Sequence, residues 1–244
     1  MPDAQLISAH QLSSRLDDAS VRIIDCRFAL DDVHMGQRSY TLAHIPGAQY
    51  AHLERDLSGV IVPGVTGRHP LPRPTDLIAT FQALGLDNEA DIVLYDDGPS
   101  AFAARAWWLL AWLGKREGVY LLDGGYRAWC EVGLPVEHRT AVVSAGNFQG
   151  RPDDTLIVDA QALLRDIQSS RVTLLDARAL PRFLGEAEPI DPIAGHIPGA
   201  ICAPFTETST QPVVFWRPSS CVHAFEESLL IAPRNRWWPT ADQG

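Results

Sequence analysis

The sequence lacks three features that would place the protein at a membrane, outside the cell or on a nucleic acid. It has no uninterrupted run of about 18 apolar residues, and no basic N-terminal segment leads into an apolar one. It also lacks an excess of positive charge, since 20 Lys and Arg residues face 30 Asp and Glu residues and give a net charge of −10. We therefore expect a soluble cytoplasmic protein that binds neither nucleic acid nor membrane, while local arginines leave small anions possible as ligands.

Cysteine is also scarce. The chain has four cysteines, and they are Cys26, Cys130, Cys202 and Cys221. They are widely spread and form no Cys-x-x-Cys pair, so the spacing predicts neither a metal site nor a disulfide framework. We expect all four thiols to be reduced.

What the sequence does contain is an alternation of strand-like and helical segments. With 244 residues, of which 46% are hydrophobic, the chain is long enough for two domains. In the first half, apolar and β-branched runs predict strands at 21–24, 92–95 and 119–122, and helices at 74–84 and 101–113. A glycine follows each of these helices, which is typical of a helix end. The alternation predicts a parallel sheet covered by helices.

The second half restarts after a segment with no clear periodicity. Residues 135–151 carry Pro, Gly, Ser and Asn, a composition that is typical of a connector. A helix is then predicted at 159–168 and a strand at 172–175, which leads into Asp176.

One signature occurs twice in the chain. Its first copy is Asp25-Cys26-Arg27 with His44-Ile45-Pro46-Gly47-Ala48, and its second is Asp176-Ala177-Arg178 with His196-Ile197-Pro198-Gly199-Ala200. The aspartates are 151 positions apart and the histidines 152. The repeat therefore has the length of a domain, far beyond the 20 to 50 residues that are typical of solenoid proteins.

These residues resemble the rhodanese homology domain, and two such copies in tandem resemble the thiosulfate and 3-mercaptopyruvate sulfurtransferases. Further segments that match the family lie at 55–59, 67–72, 104–108 and 122–129. The resemblance implies an α/β fold with two tandem rhodanese-like domains, each a mostly parallel sheet flanked by helices, the second incomplete. We divide the chain into a non-catalytic first domain (1–138), a linker (139–152), the start of a second domain (153–205) and an atypical tail (206–244).

The family carries sulfur on a cysteine thiolate, which lies in a loop between a strand and the N-terminus of a helix. At the matching position the first half has Asp96, and a carboxylate cannot carry a persulfide. A loop similar to Cys-Gly-Ser-Gly is absent from residues 206–244, as expected after a truncation or a change of reading frame. Without its last strands, a second domain would keep exposed apolar faces and pack poorly.

Several other residues are candidates for a site. Cys221 is the cysteine nearest to where a nucleophile would be sought, but residues 222–227 contain no glycine or arginine that could form an anion cradle. The resemblance assigns substrate binding to Arg182 and the rim of the site to His69 with Glu54. Asp56 is an alternative partner for His69. We expect His44 and His196 to anchor turns, and Asp25 and Asp176 to form ion pairs with the arginines that follow.

The resemblance implies an activity and its participants. A thiolate would take the sulfane sulfur of thiosulfate or 3-mercaptopyruvate and pass it to cyanide, a thiol or a thioredoxin-like acceptor. Neither a metal nor an organic cofactor is implied. We expect this activity to be impaired here, because the catalytic cysteine loop is missing. The alternative is a non-catalytic rhodanese module that binds an anion or a protein partner.

Overall fold

The computed structural model describes residues 4–168, 172–210 and 214–215. Its contacts divide the chain into two compact units, Met1–Leu174 and Leu175–Gly244. Cys221 and most of the tail predicted at 206–244 lie outside the described residues. Within the described ranges, none of the helices combines the length and hydrophobicity that a membrane span requires.

The first unit is built on a five-stranded sheet in which every neighbouring pair is parallel. Its strands, in the spatial order β1-β5-β4-β2-β3, are β1 (Gln5–Ile7), β2 (Val21–Asp25), β3 (Gln49–Tyr50), β4 (Asp91–Tyr95) and β5 (Val119–Leu122). The helices of this unit are α1 (Ala9–Ser13), α2 (Met35–Leu42), α3 (Pro74–Ala83), α4 (Ala101–Trp112), α5 (Gly125–Glu131) and α6 (Ala160–Gln168). This is the predicted α/β arrangement.

The core lies on both faces of the central strand β4. From Ile92 to Tyr95 every side chain is at most 1% exposed. A parallel strand that is covered on both faces has a continuous run of apolar residues. This explains why the sequence pattern predicted β4. Helix α4 contributes Leu109 and Leu110 to the core, and Trp129 of α5 is also fully buried.

The segment predicted as a linker packs against the first unit although it forms no helix or strand there. Phe148 is fully buried, 5.3 Å from the ring of Phe81 in an edge-to-face contact. The Gly146 and Phe148 amides donate to the carbonyls of Gln82 and Leu86. A side chain at Gly146 would meet the Leu86 carbonyl oxygen at 2.0 Å, so only glycine fits. The domain boundaries placed at 139 and 152 stay predictions.

The second unit has short elements. Strands β6 (Leu175–Asp176) and β7 (Ile201–Cys202) pair in parallel, and α7 (Leu180–Leu184) lies between them in the chain. Strands β8 (Ser209–Thr210) and β9 (Val214–Phe215) pair antiparallel. The strand predicted at 172–175 begins only at Leu175, where its β7 partner begins. Several aliphatic side chains are exposed, among them Leu175 at 47% and Ile197 at 52%.

Candidate active-site loops

The loop that follows β4 closes around the carboxylate of Asp96. One oxygen accepts hydrogen bonds from the amides of Gly98 and Ser100 at 3.0 and 2.9 Å. The other accepts from the amides of Phe102 and Ala103, in the first turn of α4, at 3.0 and 3.3 Å. Asp96 is 1% exposed. Burial raises the pKa of its carboxyl, and the four amide donors act against that shift.

The rest of this loop contains a residue in the left-handed conformation and a close approach to Arg127. Ser100, the residue before α4, adopts the left-handed conformation with φ of 57°, and its buried Oγ has no hydrogen-bond partner. At Gly98 a Cβ atom would lie 2.8 Å from the guanidinium of Arg127. The amides that could cradle an external anion are therefore already occupied by Asp96.

A buried ion pair follows β2. The carboxylate of Asp25 accepts from the Arg27 amide and from two guanidinium nitrogens, Nε at 2.9 Å and Nη2 at 2.7 Å. It also accepts from the hydroxyl of Tyr95 on β4 at 2.8 Å. Nη2 of Arg27 donates to the Ala43 carbonyl, and the guanidinium lies 4.1 Å from the centre of the Tyr126 ring. The expected pair is present and ties the turn to the sheet.

His44 anchors its turn, as the sequence predicts. Its Nδ1 lies 2.7 Å from the Tyr40 carbonyl oxygen, and its ring stacks on that of Tyr40 at 4.0 Å. The side chain is fully buried, and its Nε2 has no hydrogen-bond partner. The histidine is thus enclosed by the core and has no route to a substrate.

The second copy of the signature reproduces these contacts. Arg178 pairs with Asp176 through Nε and Nη2 and donates to the Gly195 carbonyl at 2.7 Å. Nδ1 of His196 lies 2.7 Å from the Phe183 carbonyl oxygen, and the two rings stack at 3.7 Å. The Arg178 guanidinium holds the pKa of Asp176 below its usual value.

Arg182, the candidate for substrate binding, is engaged by carboxylates of its own unit. Its Nη2 donates to Glu188 at 2.8 Å and to Asp191 at 2.7 Å. Glu188 is nearly buried, with 5% of its side chain exposed, and also accepts from Arg178. The Asp191 amide and Arg182 lower the pKa of Glu188 to about 2. An external anion would have to compete with these carboxylates for Arg182.

His69 and Glu54, the two candidates for the rim of the site, lie together in the first unit. Nε2 of His69 is 3.6 Å from a carboxylate oxygen of Glu54. The alternative partner Asp56 is bound instead to Arg55 and to the His52 amide. Burial is the largest cause of the lowered pKa of His69, while Glu54 acts to raise it.

Two of the three described cysteines, Cys26 and Cys202, do not resemble activated thiols. Cys26 is 1% exposed, and burial raises its pKa well above the ordinary value. Burial also raises the pKa of Cys202. Cys130 is exposed at the end of α5. Cys221 lies outside the described residues.

In the described part of the chain, no three His, Cys, Asp or Glu side chains are grouped as a metal site would need.

Comparison with known proteins identifies the fold and its family. The rhodanese-like domain model matches residues 8–132, a range that contains the β2 ion pair and the Asp96 loop. A Pseudomonas aeruginosa protein named probable 3-mercaptopyruvate sulfurtransferase is 56% identical over 233 residues, which cover 96% of this chain and 82% of that protein. The chain belongs to the rhodanese-like sulfurtransferase family.

Two further proteins are similar to the chain. A Mycobacterium tuberculosis protein, provisionally named the thiosulfate sulfurtransferase SseB, is 40% identical over 203 residues, which cover 82% of this chain and 70% of that protein. The crystal structure of SseA from Escherichia coli, described as a 3-mercaptopyruvate sulfotransferase, superimposes with a TM-score of 0.82 at 27% identity. That superposition covers 94% of this chain and 85% of SseA.

Proposed function

We propose that the chain is a tandem rhodanese sulfurtransferase with a non-catalytic first domain and a second one in which residues 206–244 contain no loop similar to Cys-Gly-Ser-Gly. In this proposal the reaction moves sulfane sulfur from thiosulfate or 3-mercaptopyruvate to cyanide or a thiol acceptor, and it is impaired in this chain. The cytoplasmic location and the thioredoxin-like acceptor inferred from the sequence stay predictions.

One observation carries the proposal, and it is the state of the loop after β4. The carboxylate of Asp96 takes all four amide donors that a thiolate or persulfide would need there. A carboxylate cannot accept a sulfane sulfur and release it again. The first domain then has no nucleophile in this loop, so in this proposal sulfur transfer depends on a cysteine of the second domain.

Residues 175–205 support the presence of a second rhodanese-like domain. Arg178 donates to the carbonyl of the residue before His196, as Arg27 does to the carbonyl of the residue before His44. Each histidine has its Nδ1 near a carbonyl of the preceding helix. The sequence after residue 205 contains no loop similar to Cys-Gly-Ser-Gly, and its single cysteine is Cys221. This motivates the proposal of a frame-shifted second domain, which sequencing of the coding DNA would test.

The charges around Arg182 affect how strongly a donor would bind. We propose a substrate-binding role for Arg182, which would bind the anionic end of the donor, and a substrate-binding role for His69 with Glu54. Glu188 and Asp191 hold the Arg182 guanidinium in the described structure, so donor binding would require their displacement. This competition favours weak binding of either donor.

The test is the intact mass of the chain after incubation with thiosulfate and, separately, with 3-mercaptopyruvate. In the reaction with thiosulfate, a thiolate attacks the outer sulfur, a new S–S bond forms, the old one breaks, and sulfite leaves with the electron pair. We expect no stable gain of one sulfur atom. The Pseudomonas aeruginosa relative, treated in parallel, serves as the positive control.

Variants in which each cysteine is replaced by serine complete the test. A gain of one sulfur that disappears only in Cys221→Ser would identify a nucleophile and contradict the proposed impairment. No gain in any form, together with a melting temperature that rises with thiosulfate, would instead favour the anion-binding module.

A further inference from the structure

A cavity of about 360 Å³ opens at the edge of the five-stranded sheet in the first unit. Strand β3 pairs with β2 only at Ile24 and Asp25, so the start of β2 has no strand on that side in the described part of the chain. The cavity lies there, between the turn before β3, the residues after α3, and residues 143–146 of the predicted linker. Small-molecule sites have volumes of about 300 to 1,000 Å³, so the space is sufficient for a small metabolite.

The predicted linker is fastened on both sides of this cavity. The side-chain amide of Gln49 donates to the Ala141 carbonyl at 3.2 Å, and the Gly146 amide donates to the Gln82 carbonyl at 2.8 Å. Between these points, the amides of residues 142–145 have no acceptor among the residues that the structure describes. This stretch can therefore adjust to a ligand without the loss of a hydrogen bond within the protein.

One ion pair borders the cavity. Nη2 of Arg22 lies 3.3 Å from Oδ2 of Asp87. The other guanidinium nitrogens are held by carbonyls, since Nε donates to Gly85 at 2.8 Å and Nη1 to Ala19 at 2.6 Å. The second carboxylate oxygen of Asp87 accepts from the Asn147 amide at 2.9 Å. Both charged groups are thus fixed in position, while Nη2 and Oδ2 keep the capacity to bind a ligand.

A second ion pair of the same unit provides a comparison. Arg15 and Asp91 have the same exposure as Arg22 and Asp87, with 30% of each side chain exposed, but their N–O distance is 2.8 Å. Neither Arg15 nor Asp91 lines the cavity. Exposure therefore does not distinguish the two pairs. The difference lies in the longer separation of Arg22 and Asp87 and in the cavity beside them.

A ligand at the Arg22–Asp87 pair has to satisfy two opposite charges. A simple carboxylate on Arg22 would be repelled by Asp87, and a simple ammonium on Asp87 would be repelled by Arg22. A zwitterion avoids both repulsions, because its carboxylate can accept from Nη2 while its ammonium donates to Oδ2. Other parts of the cavity wall are aliphatic, and they include Leu16, Val21 and Ile23.

We propose that this cavity binds a free α-amino acid with an aliphatic side chain. Its carboxylate binds Arg22, its ammonium binds Asp87, and its side chain contacts the aliphatic wall. Because the ligand binds the folded state, it raises the stability of the chain. The inference does not depend on the proposed sulfur transfer, since the cavity shares no residue with the loop after β4 and does not include Arg182.

The test adds L-leucine to the isotope-labelled full chain and follows the backbone amides by NMR. We expect saturable shifts at Ile23 and at residues 143–146, and a melting temperature that rises with the leucine concentration. Isocaproate has the same carbon chain without the ammonium, and isoamylamine lacks the carboxylate. Each should bind at least about tenfold more weakly than leucine, because one charge of the ion pair is left unsatisfied.

Two variants and a matched control locate the site. Asp87→Asn keeps the acceptor for the Asn147 amide and removes the charge, so the affinity for leucine should fall at least about tenfold. Asp91→Asn, the same change in the pair that does not line the cavity, should leave the affinity unchanged. Ala145→Trp, at an exposed position that lines the cavity, should abolish binding by filling the space and serves if Asp87→Asn does not fold.

Three results would overturn the proposal. The first is the absence of saturable shifts at these amides, and the second is equal affinity for leucine and isocaproate. The third is native affinity for leucine in Asp87→Asn or Ala145→Trp when the variant is folded by circular dichroism. The readout does not involve sulfur transfer, so none of these results bears on the mass experiment.

Discussion

The two copies of the repeated signature share their ion pair and their contacts with backbone carbonyls, but the first copy is buried and the second is partly exposed. In the first copy Asp25, Arg27 and His44 are 0%, 3% and 0% exposed. In the second copy 13% of the Asp176 side chain and 28% of the Arg178 side chain are exposed, and His196 is an exposed residue. The same difference separates the isoleucines that follow the histidines, since Ile45 is fully buried and Ile197 is 52% exposed.

This difference shows which part of the geometry is local. The arginine reaches its aspartate two residues away and a carbonyl 16 or 17 residues away, so the short signature is sufficient to form these contacts. Burial comes from elements that are distant in sequence. In the first unit β4 pairs with β2 and supplies the hydroxyl of Tyr95, and the described part of the second unit contains no equivalent strand.

The largest expected effect comes from breaking the buried pair of the first copy. Asp25→Asn keeps the size of the side chain but leaves the buried guanidinium of Arg27 without a counter-ion. We expect the free energy of unfolding to fall by about 3 to 5 kcal/mol. Asp176→Asn, the matched change in the second copy, should cost about 0 to 1 kcal/mol. Urea unfolding followed by circular dichroism measures both, and equal losses would show that burial does not separate the copies.

A smaller loss of stability is expected from a change in the loop after β4. Among the described residues, only the first copy has this loop. Asp96→Asn replaces one acceptor oxygen by an NH₂ group, which faces amide donors and leaves two of them unpaired. We expect a loss of about 2 to 4 kcal/mol in the same unfolding assay. Asp97→Asn, at the exposed neighbouring position, should change stability by less than about 0.5 kcal/mol. If Asp96→Asn left the free energy of unfolding unchanged, this result would contradict the hydrogen bonds described for this loop.

Replacement of the stacked histidines sharpens the comparison further. His44→Phe keeps an aromatic ring on Tyr40 and removes the partnerless Nε2, but it leaves the Tyr40 carbonyl unpaired. We expect a net loss of about 1 kcal/mol, measured by thermal unfolding. His196→Phe should stay within about 0.5 kcal/mol, because water can reach the exposed site. A larger loss of stability at His196 than at His44 would contradict the interpretation that the buried copy contributes more to stability.

The smallest effect concerns pH in the second unit. Because the folded-state pKa of Glu188 is lowered to about 2, its contribution to stability is complete above the unfolded value of about 4.3 and disappears as the pH falls through about 2. The pKa of Asp176 is also lowered, so its contribution to stability is likewise lost as the pH falls. Carboxyl carbon NMR titration should give a midpoint for Glu188 well below that of a glutamate in a peptide. In Arg182→Met the midpoint should move upward.

The sequence predicted the elements whose signal is strong along the chain. Strands β2, β4 and β5 are apolar runs, and α3 and α4 end where glycine follows, so composition and periodicity were sufficient. Strand β1 has three residues, two of them exposed, and α2 buries only Gly36 and Tyr40. Neither leaves a clear apolar pattern. The strand predicted at 172–175 was too long at its start, because strand length depends on a partner that local sequence does not specify.

The candidate sites divide in the same way. The ion pairs after the aspartates and the turn-anchoring histidines were predicted, since each involves residues close in sequence. The four amides at Asp96 were not predicted, although they lie only two to seven residues further along the chain. The hydrogen bonds of Arg105 to the Leu57, His69 and Pro70 carbonyls were not predicted either, because they join segments that only the fold brings together. A single arginine within the otherwise uncharged α4 was a signal for these contacts. Glu188 and Asp191, which hold Arg182, follow it by six and nine residues, and the sequence alone did not predict their contact with it.

The carboxylate in the loop after β4 also changes how the first unit responds to its surroundings. A domain whose anion cradle is empty gains stability from any anion that fills it, by an amount that grows with the logarithm of the anion concentration. In the first unit this ligand is covalently part of the chain and is always present at full occupancy. The stability of that loop therefore does not depend on an external anion.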